Sequence, residues 1–143
     1  GKDLTGTILT GADLSDANLA GTILTGVDLS GKDLTGTILT GADLSNANLA
    51  GVDLSGKDLT GTILTGADLS DANLIDANLA DANLQNTNLR YTLLVDANLL
   101  NAILTGADLS NAVITGAILT GADLENAILV DVILNCVGHR ICV

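Results

Sequence analysis

From Leu4 to Leu134 every fifth residue is leucine, apart from Ile114, which makes 27 consecutive five-residue units. No ordinary element accommodates that spacing. Five helical steps of about 100° turn each leucine roughly 140° from the last, scattering them around the cylinder. On a strand, an odd spacing sends successive leucines to opposite faces. The leucines share one interior only if the chain turns a corner once per unit, so the pattern predicts a solenoid with a side every five residues.

The other positions of the unit agree. Two residues before the leucine stands a small residue, as at Ala12, Ala42, Ala67, Ala72 and Ala77. Residues two apart on an extended segment point the same way, so this residue and the leucine both face inward. Asp, Asn or Ile precedes the leucine and Ser or Thr often follows it, both facing water. The fifth position is Gly, Asp or Asn at almost every unit, which marks it as the corner, where positive φ is tolerated.

The units Ala12-Asp13-Leu14-Ser15-Asp16 and Ala77-Asn78-Leu79-Ala80-Asp81 closely resemble the A(D/N)LXX repeat of the pentapeptide-repeat proteins, and the resemblance runs from residue 2 to about 135. It implies an all-β fold, a right-handed quadrilateral parallel β-helix with four units per coil. On that basis the chain forms about seven coils, a rod roughly 32 Å long at ~4.8 Å per coil. Residues 1–135 are expected to form the β-helix. The repeat fails at Val137-Gly138-His139-Arg140, where His139 takes the next leucine position, and residues 136–143 are read as a C-terminal cap.

A longer repetition overlies the short one. Gly1–Ser15, Gly31–Ser45 and Gly56–Ser70 are the same fifteen residues. Such identity points to recent duplication or to an engineered array with no selected partner. The offsets of 30 and 25 residues start the blocks on different faces of a four-sided coil. That counts against an ice-binding threonine face, which would repeat at multiples of 20. The blocks also carry a conflict: Lys2, Lys32 and Lys57 stand at the small inward position. Lys32 has Ala12 and Val52 as same-face neighbours, Lys57 has Thr37 and Ala77, and no inward carboxylate is available. A buried, unpaired ammonium is costly, so the stems are expected to run along a corner and reach outward.

Charge narrows the function. With 17 acidic against five basic residues the net charge is −12, which argues against direct nucleic-acid binding. The family resemblance implies a second reading, an acidic DNA mimic that binds a type II topoisomerase. Its candidate acidic face is Asp13, Asp33 and Asp53, stacked at 20-residue intervals, and Asp28, Asp68 and Asp108 recur on another face. The simpler reading is that these carboxylates are consensus positions that keep the rod soluble. No Phe, loop insertion or long rod supports mimicry.

Beyond about residue 90 the outside changes. Leu93, Val113 and Ile133 fall in one outward column with Val95 beside them, and Leu100 and Ile118 lie on the next face. A contiguous outward apolar strip marks a contact surface, here read as a homodimer contact in the C-terminal half. β-branched residues that merely favour extended backbone are the plain alternative, and Ile8, Ile23, Ile38 and Ile63 occur outward in the other half.

Catalytic chemistry is sparse. There is one His, no phosphate-binding glycine loop, and an interior filled with leucine that leaves no cleft. The chain is read as no enzyme, with no cofactor, and as a rigid scaffold or protein-binding rod. The one candidate metal set is Cys136, His139 and Cys142, with Asp131 as a fourth ligand. The same cysteines allow a disulfide in an oxidising compartment or plain thiols in a cap. No 18-residue apolar run predicts a membrane span, and no signal-peptide pattern opens the chain. The missing initial Met is expected of a processed or truncated chain.

Overall fold

The computed structural model describes residues 2–134 and Gly138. Its organising contact is a parallel bridge between residues 20 apart. One column runs Asp3–Ile23–Asp43–Ile63–Asn83–Ile103–Asp123, which gives seven stacked levels. Three further columns occupy the remaining sides, so four units close one coil. Each side meets the next coil through a single bridged residue, and no longer strand forms among the described residues. The five-residue unit explains this: two of its residues turn the corner, leaving too little extended chain for a longer strand.

Each corner is built the same way. The residue three after a leucine donates its N–H to that leucine's carbonyl, as Ala77 does to Leu74 at 3.1 Å. Such a turn needs positive φ at its third residue when it is of type II. Every fifth residue from Gly6 to Asp131 has φ between 53° and 76°. Asn or Asp accepts this conformation with its short polar side chain. At Gly66 the amide oxygen of Asn46, one coil earlier, lies 2.6 Å from where a Cβ would stand, so any larger residue there would have to push that side chain aside. At Gly106 the oxygen of Asn86 does the same at 2.5 Å.

The interior is a single column of leucine and alanine. Leu34, Leu54 and Leu74 are almost wholly buried one above another, and each leucine removed from water contributes about 2 kcal/mol before chain entropy is subtracted. Inward threonines fit because their hydroxyls find main-chain carbonyls. Thr37, Thr87 and Thr92 donate to Leu14, Leu64 and Leu69 at 2.8–2.9 Å. No buried side-chain nitrogen or oxygen is left without a partner among the described residues.

Lys32 and Lys57 are half-buried. The ammonium of Lys32 donates to the carbonyl of Ala12 at 3.3 Å, and that of Lys57 to Thr37 at 3.5 Å. Each reaches back to the inward residue one coil earlier. Among the described residues, no helix is long and apolar enough to cross a membrane.

Candidate interaction face

The aspartate before each leucine has a structural task. Asp13 accepts from the N–H and hydroxyl of Ser15 at 3.0 and 2.6 Å, and Asp28 does the same with Ser30. Asp108 accepts from the Ser110 N–H at 2.9 Å and from its hydroxyl at 2.5 Å. This short-range bond gives the second residue after Asp an acceptor that no neighbouring coil supplies. The carboxyls of Asp13, Asp28 and Asp108 are accordingly held below the usual carboxylate range, chiefly by these serine hydroxyls. At Asp33 the Thr35 hydroxyl is the main cause, with Lys57 adding a smaller attraction. For Asp53 the Ser55 N–H comes first.

Bridging shows how the two candidate surfaces relate. Asp53, Asn73, Leu93, Val113 and Ile133 form one continuous column. Asp13 and Asp33 precede them at the same 20-residue interval but are not bridged. The acidic set and the apolar set therefore lie on a single side of the rod, carboxylates toward one end and hydrocarbon toward the other. Asn73 sits at the junction and donates to Asp53 at 3.1 Å. At the apolar end Leu93 is 38% exposed and Ile133 56%, with Val95 and Val113 half-buried beside them. Around the next corner Ile118 is 41% exposed and Leu100 stands close to that.

The second acidic series is not continuous. Its column reads Asp28–Asn48–Asp68–Asn88–Asp108–Ile128, so a neutral amide separates successive carboxylates. Asn88 donates to Asp68 at 2.8 Å across one such step. Elsewhere Asn98 donates to Asn78 at 2.9 Å. The outward asparagines thus join coils by side-chain bonds, a role that the offset of 20 encodes but composition alone conceals.

Sequence reasoning missed two features. Ile128 and Val130 are exposed and extend the apolar character to another side. Arg90 pairs with Asp108 at 3.1 Å and lies 5.7 Å from the ring centre of Tyr91. The signal for the pair was an offset of 18, from the residue after one leucine to the residue before a leucine in the next coil. Cys136, His139 and Cys142 lie outside the described residues, as does nearly all of the 136–143 cap. Among the described residues no group of three or more His, Cys, Asp or Glu is placed to hold a metal ion.

A four-sided parallel solenoid with an uninterrupted five-residue unit defines the class of protein. The pentapeptide-repeats family model matches in eight copies, over residues 3–33, 24–56, 33–66, 58–90 and 92–131, and the chain belongs to that family. Among solved structures, it is 34% identical to the pentapeptide repeat protein Rfr23 of the cyanobacterium Cyanothece 51142. That match covers 85% of this chain and 91% of the other, with a TM-score of 0.48. It is 36% identical to alr5209, a pentapeptide repeat protein of Nostoc Pcc 7120, over 78% and 69% of the two chains, with a TM-score of 0.42. It is 22% identical to the trypsin-treated R167E form of QnrB1, a plasmid-mediated fluoroquinolone resistance protein. There the coverage is 86% and 76% and the TM-score 0.52, a likeness of fold. No curated protein matches the chain.

Proposed function

We propose that this chain is a non-catalytic, right-handed quadrilateral β-helix that serves as a rigid protein-binding rod. Its binding surface is the apolar end of the side carrying Leu93, Val95, Val113 and Ile133. The observation that carries the reading is the change along that side from carboxylates at Asp13, Asp33 and Asp53 to exposed hydrocarbon at Leu93 and Ile133. Exposed Leu and Ile in register present a flat strip of the kind that marks contact surfaces.

A second copy of the chain suits this side when it runs antiparallel. A two-fold axis at Val113 sets Leu93 opposite the partner copy's Ile133 and carries the carboxylates away from each other. Parallel pairing would instead place Asp13, Asp33 and Asp53 opposite their own copies, which like charges oppose. Sedimentation of the intact chain tests this. Twice the chain mass, reduced to one chain mass by Leu93→Asp, supports the contact, and an unchanged mass in the variant ends it.

The DNA-mimic reading has less support. Mimicry needs a dense array of negative charge, whereas the carboxylates on the second acidic side alternate with asparagine. The likeness to a fluoroquinolone resistance protein keeps a gyrase supercoiling assay worthwhile. Inhibition or protection at low micromolar protein would favour mimicry over the rod proposed here.

A further inference from the structure

The ladder between coils is regular enough that its interruptions carry information. With four exceptions among the described residues from Ile23 onward, the residue before a leucine donates its N–H to the inward residue one coil earlier. Ile38 donates to Ala17, Asp43 to Thr22 and Asn78 to Lys57, all at 2.9–3.0 Å. The bond is absent at Asp28, Asp33, Asp53 and Asp58. The carbonyls that Asp33 and Asp58 would use, those of Ala12 and Thr37, accept from the ammoniums of Lys32 and Lys57 instead, and Asp28 and Asp53 lie on the adjoining side of the same two gaps.

Each loss extends over two sides of the coil. Before Lys32, neither the Asp13–Asp33 pair nor the Ile8–Asp28 pair is bridged, whereas Asp3–Ile23 and Asn18–Ile38 in the same gap are. Before Lys57, the pairs Asp33–Asp53 and Ile38–Asp58 are unbridged, whereas Ile23–Asp43 and Asp28–Asn48 are intact. Lys57 lies one coil and one side further along than Lys32, and the interruption moves by the same step. Grooves of about 420 Å³ and 400 Å³ open at the two places, and Lys32 lines both. Repulsion between the stacked aspartates of Asp13–Asp33 and Asp33–Asp53 does not by itself explain the loss at Ile8–Asp28 and Ile38–Asp58, which each contain only one charge. The lysine does. Its stem overfills a position sized for alanine, and its ammonium must keep a polar partner or water. Both needs are met when the coil before it stands away.

We propose that Lys32 and Lys57 are struts, each holding open the gap to the preceding coil, so that the N-terminal half has two local hinges and the coils beyond have none. Amide hydrogen exchange on the intact folded chain tests this residue by residue. The N–H groups of Leu34, Asp53 and Asp58 are expected to exchange at least about tenfold faster than those of Leu54, Asn73 and Leu74, whose ladder bonds are intact. Lys57→Ala, which restores the residue type found at Ala42 and Ala67, should slow Leu34, Asp53 and Asp58 and leave Leu14 and Asp33 fast. Lys32→Ala should do the reverse. Equal protection of both groups in the unaltered chain overturns the proposal. So does either variant leaving its own gap fast, or slowing both gaps together.

Discussion

Tyr91 shows what a single corner demands. It holds φ at 59°, the conformation that glycine, asparagine or aspartate occupies at every other corner from Gly6 to Asp131. A side chain with a bulky Cβ substituent is strained there by roughly 1 kcal/mol. The ring is 51% exposed and its neighbour Arg90 lies over it, an exposed cation–π contact worth about 0.5 kcal/mol. The strain is the larger figure, so Tyr91→Asn is expected to stabilise the rod by a few tenths of a kcal/mol up to about 1. Urea denaturation of the two proteins decides it, and a loss of stability would mean that the Arg90 contact outweighs the backbone. The corner was legible in the sequence as a run of Gly, Asp and Asn, but Tyr91 was not, because its type contradicts its conformation.

The five-residue unit is where pH enters. Asp58 accepts from the hydroxyl and the N–H of Thr60, at 2.5 and 3.0 Å, and these bonds hold its carboxyl below the usual range. Asp13, Asp28 and Asp108 are depressed by the equivalent serine bonds. A group whose folded value is depressed stabilises the fold above its unfolded value of about 3.9, and that contribution disappears as pH falls through the folded value. Thermal melts should therefore decline below about pH 4. The decline should be shallower in Asp58→Asn, which keeps an oxygen acceptor that does not titrate, and equal slopes would remove Asp58 from the account. That these aspartates occupy outward positions was legible from their placement beside the leucines. Their bond to the residue two positions on was not, since it depends on the turn that follows.

For the whole rod, burial is nearly uniform through the middle coils and falls toward the first. Leu74 is fully buried, whereas Leu9 is only partly so and lines the first groove. Removing a buried leucine side chain leaves a cavity that neighbouring coils cannot fill, so Leu74→Ala is expected to cost about 3 kcal/mol. Leu9→Ala should cost less than half of that, because its position is already open to solvent. Chemical denaturation of both variants checks the ratio, and equal losses would contradict an interior that depends on stacking from both sides.

Much of this architecture is written along the chain. Leucine at a spacing of five, a small residue two positions earlier and a corner residue two positions later leave one way to bury the leucines together, and local chemistry alone states that rule. The family resemblance adds that Leu93, Val113 and Ile133 share one column, because their interval equals the 20 residues of a four-unit coil. Closure into four sides, by contrast, is a relation between residues 20 apart, and it appears only once hydrogen bonds join one coil to the next. The effect of Lys32 and Lys57 was decided at the same level. A lysine at an alanine position is visible as a conflict, yet whether it bends outward or parts the coils depends on the carbonyl and the free space one turn above it, and no stretch of chain specifies those by itself.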